Sequence, residues 1–124
     1  MFTTKQEIID RIDLIADVQR TKVVADPVRA FEYQAAEQGA RAYVNDGYTG
    51  VVPGVVQVWA EARGWSAQQA ADNILSEAHA FHEALVFIRG TRLKAKYAVM
   101  DESVTLEQAN EIGMAAIVAL KSLG

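Results

Sequence analysis

Four helix-start signals constrain the fold of this chain more than any other feature. Three of them are capping boxes, at Thr4-Lys5-Gln6-Glu7, Ser66-Ala67-Gln68-Gln69 and Thr105-Leu106-Glu107-Gln108. In such a box, the first hydroxyl and the fourth side chain satisfy backbone N–H groups that are free at a helix start. Asp26-Pro27 is the fourth signal, with Asp as the N-cap and Pro at the first helical position. Because strand-like alternation hardly occurs, the sequence predicts an all-α fold.

The spacing of apolar residues between these starts predicts five helices. Their approximate ranges are 4–22, 26–45, 54–63, 66–99 and 106–122. The fourth would reach roughly 50 Å at 1.5 Å per residue, which is long for a lone domain of this size. Either Gly90 breaks it or a partner covers its far end. We therefore expect four to five helices packed around one long helix, in a bundle-like arrangement that oligomerisation could extend.

Apolar stripes at helical spacing mark the predicted core faces of these helices. The predicted core residues are Ile8, Ile9, Ile12, Ile15 and Ala16; Val28, Phe31, Ala35 and Ala42, with Tyr43 nearby; Ile74, Ala78, Phe81, Leu85 and Ile88, flanked by Leu75, Val86 and Leu93; and Leu106, Ala109, Ile112, Ala116, Ile117 and Leu120. Gly39 lies in the middle of the second helix at a cost of about 1 kcal/mol relative to Ala, which indicates a close helix crossing or a kink.

Length and composition predict a single soluble domain over residues 1–124. The chain has the usual size of one domain and enough residues for one core. Cysteine is absent, and charged residues near the N-terminus break the apolar block that a secretory signal needs. No apolar run approaches the roughly 20 residues of a membrane span. The net charge of −4 disfavours nucleic acid as the main partner.

Two histidines and a nearby carboxylate form the one stretch that resembles a metal site. His79 lies three residues before His82 and four before Glu83, so all three can point to a similar side of a helix. However, the His-Glu-x-x-His order of a zinc-protease helix is absent, and a di-iron bundle needs a second Glu-x-x-His motif. The sequence favours two partly exposed histidines and predicts no metal, cofactor or catalytic residue. A metal-dependent helical bundle is the alternative.

A basic run and an aromatic loop are the candidate protein interface. Arg89, Arg92, Lys94 and Lys96 could dock the acidic face of a partner or nucleic-acid phosphates, although a solvated face is the simpler interpretation of such a run. Aromatic residues near loops are enriched in interfaces. Trp65 precedes a capping box, where an apolar residue staples back onto Ala70 and is more often core. The candidate interface residues are Tyr48, Val52, Trp59, Arg89 and Arg92.

Much of the chain resembles a segment that recurs in small bacteriophage tail or virion proteins. The resemblance is carried by GYTGVVPGVVQVWAEARGWSAQQAADNIL, by IRGTRLKAKYAV and by the opening MFTTKQEIIDRID, and it is strongest over 46–99. Its pattern is a Gly-Tyr-x-Gly-x-Val-Pro loop, a helix ending in Trp-Ala, and a Ser/Thr-Ala-Gln-Gln-Ala-Ala helix start. The resemblance implies a phage particle or its assembly as the setting, and it implies no active-site residues.

These features lead to one main hypothesis and three others. The main one is a non-enzymatic virion structural protein of the tail, baseplate or head–tail region. It would be assembled in the bacterial cytoplasm and would bind other phage structural proteins as a helical adaptor or decorating subunit. It would occur as repeated copies or as a homo-oligomer, with no membrane partner. The others are a non-virion assembly factor such as a tail or tail-fibre chaperone, a small host-directed binding protein, and the metal-dependent bundle.

Overall fold

The computed structural model describes residues 1–123, which form five helices and no strand, so the predicted all-α class is confirmed. The helices are α1 (Lys5–Val24), α2 (Pro27–Asn45), α3 (Gly54–Arg63), α4 (Ala67–Met100) and α5 (Leu106–Lys121). Within residues 1–123, none of the helices combines the length and the apolar character needed to cross a bilayer.

The predicted helix starts are confirmed by their hydrogen bonds. Thr4 accepts a hydrogen bond from the backbone N–H of Glu7 at 3.1 Å, but the Glu7 carboxylate bonds Thr3 and not the N–H of Thr4, so the box predicted at 4–7 is only half formed. The carboxylate of Asp26 accepts one from the N–H of Val28 at 2.9 Å, with Pro27 at the first helical position. The boxes at 66–69 and 105–108 are reciprocal, since each side chain bonds the backbone N–H of the other residue. Local capping chemistry therefore sets where these helices begin.

The chain divides into two compact units, each with its own cluster of buried residues. Unit 1 comprises residues 1–25 and the chain from Glu83 onward, and unit 2 comprises Asp26–His82. Helix α4 contributes its first half to unit 2 and its second half to unit 1. The sequence led us to expect one core, whereas buried residues form two clusters. A single domain over residues 1–124 stays a prediction.

Unit 1 packs α1 and α5 around the second half of α4. Asp13 of α1 pairs with Arg92 and Lys96, while the Lys5 ammonium donates to the Asp101 carbonyl at 2.9 Å, so α1 runs antiparallel to α4. Ile8 lies against Gly113, which brings the first halves of α1 and α5 together. The buried cluster consists of Ile8, Ile9, Ile12, Ala16, Ile88, Ala95, Val99, Ala109, Ala116 and Leu120.

A buried amide holds the N-terminal residues of unit 1 on α5. Asn110, only 5% exposed, accepts a hydrogen bond from the backbone N–H of Phe2 at 2.9 Å. Its amide nitrogen donates to the carbonyls of Phe2 and Leu106, both at 3.1 Å. All of these bonds lie within unit 1. Because the polar group is satisfied, its burial adds specificity without the cost of an unpaired donor.

Unit 2 packs α2 and α3 against the first half of α4. The buried cluster consists of Ala40, Tyr43, Val56, Ala60, Ala70 and Ala71. Gly39 lies in this contact, because a Cβ added there would collide with the Cγ2 of Val55. The mid-helix glycine therefore permits a close crossing of α2 and α3, as one of its two interpretations predicted. Helix α2 continues through it without a break.

The predicted core face of α2 is wrong. Val28 and Phe31 are 70% and 74% exposed, and Ala35 and Ala42 are exposed as well. The side that packs carries the smaller residues Gly39 and Ala40 together with Tyr43. At 100° per residue, this side lies about a quarter-turn or more from the predicted stripe. The spacing correctly identified residues that share one side of α2. The close crossing of α2 and α3 at Gly39 buries a different side of α2.

Helix α4 continues through Gly90, which answers the question that the sequence left open. Among residues 1–123, no atom outside the local helix lies within 4 Å of a Cβ built on Gly90, so their packing does not require a glycine there. The interior of α4 contains no proline, so it keeps its i→i−4 hydrogen bonds. Ile88 is fully buried as predicted, while the flanking residue Val86 is 70% exposed.

The contrast between two helical glycines generates a stability prediction. A Cβ at position 113 would lie 2.5 Å from the Cγ2 of Ile8, a fully buried β-branched side chain with little room to move. We expect Gly113→Ala to lower the free energy of unfolding by about 1–3 kcal/mol. Gly90→Ala, the matched control, should raise it by up to about 1 kcal/mol. Urea unfolding followed by circular dichroism measures both. A Gly113→Ala variant at least as stable as the parent would contradict this packing.

Candidate functional site

The predicted interface residue Tyr48 terminates α2 through backbone hydrogen bonds. Its N–H donates to the carbonyl of Tyr43 at 2.9 Å, and the N–H of Gly47 donates to that of Val44 at 2.9 Å. This bond pair is the Schellman motif, with Gly47 in the left-handed conformation at φ 72°. Tyr48 itself has φ 61°, which is uncommon for a residue with a side chain. A residue keeps such a backbone conformation only where its surroundings enforce it, so the contacts around Tyr48 fix its backbone.

The side chain of Tyr48 is held at both ends. Its ring meets that of Tyr43 edge-on, with centroids 5.7 Å apart. Its hydroxyl donates to the carboxylate of Asp72 at 2.5 Å, which joins the loop after α2 to the first half of α4. This hydrogen bond is the main reason that the pKa of Tyr48 is raised above its ordinary value, since ionisation would remove the donated proton beside a negative charge.

Helix α3 ends by the same construction. Gly64 is left-handed at φ 66°, the N–H of Trp65 donates to the carbonyl of Ala60 at 2.9 Å, and that of Gly64 donates to Glu61 at 3.4 Å. The ring of Trp65 packs edge-on against Trp59, six residues earlier, with centroids 6.2 Å apart. Schellman motifs commonly include such an apolar contact. Trp65 therefore closes α3 and also precedes the capping box of α4.

A cation completes this group, which we call the aromatic elbow: Tyr48, Trp59, Arg63 and Trp65. The guanidinium carbon of Arg63 lies 4.4 Å from the ring centroid of Trp65 and 5.4 Å from that of Trp59. The indole N–H of Trp59 donates to the Asn73 side-chain carbonyl at 3.0 Å. Both tryptophans are half-buried, and their rings are engaged by each other and by Arg63 inside unit 2. The elbow primarily positions the chain between α2 and α4.

The structure brings together three of the five predicted interface residues. Tyr48, Val52 and Trp59 all pack, partly buried, against the cluster of unit 2. Two exposed apolar residues that neighbour them in sequence were not among the predicted interface residues. Val51 is 94% exposed and Val58 is 63% exposed. Helical spacing in α3 contained the signal for Val58. That residue lies 200° from buried Val56, on the opposite side of the helix.

The predicted core stripe of α2 is the other apolar surface, and we call it the α2 face: Val28, Phe31, Ala35 and Ala42. All four residues are exposed. A shallow polar groove of about 470 Å³ adjoins its last residue. The groove is lined by Gln34, Glu37, Gln38, Arg41, Ala42 and Asn45. An apolar strip beside polar groups is the composition of a protein-contact surface.

His82 joins α4 to α2 through a hydrogen bond. Its Nε2 lies 3.0 Å from the carboxylate of Glu37, which also accepts a hydrogen bond from Arg41 at 3.0 Å. The contact with His82 is the main cause of a lowered pKa for Glu37. Within residues 1–123, no three His, Cys, Asp or Glu side chains are grouped closely enough to hold a metal ion. The metal-dependent alternative built on His79, His82 and Glu83 stays a hypothesis.

The four residues of the basic run on α4 lie in two different environments. Arg92 and Lys96 turn towards α1 and share the carboxylate of Asp13, at 3.3 and 3.4 Å. Arg89 and Lys94 are exposed. An open groove of about 560 Å³ runs between the two helices inside unit 1. It is lined by Asp13, Asp17, Arg20, Leu85, Arg89 and Arg92, and we call it the α1–α4 groove.

The described geometry therefore offers surfaces for contact: the α2 face, the exposed valines beside the aromatic elbow, and the α1–α4 groove. Comparison of the chain with protein families, with curated proteins and with solved structures gives no match. None of the three surfaces has the paired nucleophile and base, or the buried acid, that a catalytic site uses.

The hydrogen bond between Tyr48 and Asp72 generates a pH prediction. Because the folded-state pKa is raised above 10.0, the bond stabilises the fold fully below pH 10 and is lost as the pH rises through the higher folded value. We expect Tyr48→Phe to lose part of the tyrosinate absorbance that the parent gains above pH 10, because the raised pKa of Tyr48 delays its ionisation. A difference between parent and Tyr48→Phe that lies entirely below pH 10 would contradict the assignment.

Proposed function

We propose that this chain is a bacteriophage structural protein that acts by protein–protein binding, as a helical adaptor or decorating subunit of the tail, baseplate or head–tail region. The resemblance of residues 46–99 to phage tail and virion proteins supplies the setting. The α2 face is the single observation that best supports binding as the mechanism.

The first half of α2 lacks support from its own unit. Residues 27–35 are helical, but none is buried and only Ala30 is even partly buried. A helix without tertiary packing is marginal in water, since most helical stability in proteins comes from burying an apolar face. Here the large side chains Val28 and Phe31 face solvent at 70% and 74% exposure. Docking of this segment on a partner would bury what the chain itself leaves uncovered.

The spacing of the α2 face fits a groove on a neighbouring protein. Val28, Phe31 and Ala35 stand at i, i+3 and i+7, the pattern by which an amphipathic helix anchors in an apolar groove. Full burial of Val28 and Phe31 would contribute about 1.5–3 kcal/mol each. The face offers roughly a few hundred Å², below the ~800 Å² per partner of a standard stable interface. It suits one modest contact that a symmetric particle repeats many times.

The aromatic elbow adds a second contact region. Tyr48 and Trp59 are themselves anchored, so we infer that they hold the exposed Val51 and Val58 in position for a neighbouring subunit. This assigns to the elbow a supporting role, with the valines in direct contact. The charged groups around these surfaces would set orientation more than affinity.

Quantitative mass spectrometry of purified particles tests the proposal. In particles of the phage that encodes this chain, we expect the protein at a fixed copy number that is a multiple of the tail or capsid symmetry. Presence in the lysate with absence from particles would overturn the virion role. That outcome would leave an assembly factor or a host-directed binder, which affinity capture from infected cells would separate by the identity of the bound protein.

Two valines with equal exposure give a matched test of the α2 face. Val28 lies on this face and Val86 lies on α4, and both are 70% exposed. We expect Val28→Ser to reduce the number of copies per particle, with docking about ten-fold weaker because one buried aliphatic side chain is lost. Val86→Ser should leave incorporation unchanged.

Phe31→Ser should have a larger effect than Val28→Ser, since more apolar area is lost. Circular dichroism of each variant confirms that the fold is kept. Equal incorporation of the Val28→Ser and Val86→Ser variants would argue against the α2 face as the docking surface.

A further inference from the structure

We propose that the α1–α4 groove binds an acidic polypeptide segment that carries two carboxylates about one helical turn apart. The groove lies entirely within unit 1 and shares no residue with the α2 face or the aromatic elbow. The proposal therefore holds or fails independently of the virion role.

Positive charge is in excess in and beside the groove. Arg20 pairs with Asp17 at 2.7 Å, so these two charges cancel. Asp13 is shared between Arg92 and Lys96, which leaves one positive charge over, and Arg89 adds another. The lining residues carry three cations and two carboxylates, a charge of +1, and Lys96 beside them raises the local charge to +2, although the whole chain has a net charge of −4. A ligand with two negative charges would balance this excess.

The arginines of α4 also have donors to spare. Arg89 is exposed, and within residues 1–123 the structure gives it no ion pair or hydrogen bond. Arg92 makes one long bond of 3.3 Å to Asp13, and its buried Nε has no acceptor. A guanidinium has five N–H donors and binds carboxylates best through two of them. An incoming carboxylate would use the terminal nitrogens of Arg92, in place of or beside Asp13.

The spacing of these groups sets the shape of the ligand. Arg89 and Arg92 are three residues apart on α4, so their Cβ atoms are about 5–6 Å apart. Carboxylates at i and i+3 or i+4 of a helix, or at i and i+2 of an extended segment, match that separation. Leu85, one turn before Arg89, gives the groove an apolar end for a neighbouring side chain of the same segment.

The opposite wall favours a polypeptide over a nucleic acid. Asp13 and Asp17 lie on α1 across from Arg89 and Arg92. A phosphate backbone carries closely spaced negative charges along its whole length and would also approach these carboxylates. A polypeptide can place carboxylates only against the arginines and leave neutral residues against α1. The acidic balance of the whole chain disfavours nucleic acid in the same way.

Arginine side-chain NMR with defined probes tests the proposal on the full chain. The probes are a blocked hexaglutamate peptide, inorganic phosphate and a short single-stranded DNA. We expect hexaglutamate to shift the Nε–H signals of Arg89 and Arg92 together and saturably. Arg89→Ala should weaken this binding about five-fold, as expected for one charge-assisted contact at an open site.

The control Arg29→Ala removes the same charge from an exposed position on α2 and should leave binding unchanged. Absence of saturable shifts with hexaglutamate would overturn the site. If Arg29→Ala weakened hexaglutamate binding as much as Arg89→Ala does, the binding would be general charge attraction, and the proposed site would be overturned as well. Tighter binding of phosphate or of the DNA would overturn the assignment to an acidic polypeptide.

Discussion

The structure depends on one continuous helix that supplies side chains to two separate clusters of buried residues. Ala70 and Ala71 near the start of α4 belong to the cluster of unit 2, and Ile88, Ala95 and Val99 belong to that of unit 1. No residue between Ala71 and Ile88 is buried. Continuity over this stretch therefore comes from the helix itself, which has no internal proline and many residues of high helix propensity. The other helices then pack on α4 in sets of two.

The helix boundaries could be predicted because capping is local. Asp26, Ser66 and Thr105 each meet their backbone partner two or three residues further along, so the sequence contains both halves of each interaction. The side on which a helix packs depends on residues far along the chain. For that reason the stripe from Val28 to Ala42 identified a true apolar face but not its environment. Gly39 pointed to the close crossing but could not name Val55 as the neighbour.

In the candidate site as well, local features could be predicted from the sequence and long-range contacts could not. The sequence marked Tyr48, Val52 and Trp59 as neighbours of a loop, and the structure brings them to one cluster. It could not show that Asp72 and Asn73 engage the polar atoms of Tyr48 and Trp59, since those partners lie 24 and 14 residues further on. The pairing of Asp13 with Arg92 joins residues 79 positions apart. Only the fold could separate Arg92, which holds α4 to α1, from Arg89, which remains exposed.

The cap at Asp26 links the folding of α2 to the proposed docking. An exposed helical segment must be ordered before it can bind, and ordering costs roughly 1–2 kcal/mol per residue in backbone entropy. Pro27 presets one backbone angle, and the carboxylate of Asp26 satisfies the N–H of Val28, so part of that cost is met before a partner arrives. The free energy gained by burying a modest apolar face then contributes more to affinity, because less of it is spent on the backbone entropy lost when the segment becomes ordered. In the proposed docking, the capping residues would therefore act together with Val28 and Phe31. The cap would set how much of the free energy of burying these two side chains contributes to affinity.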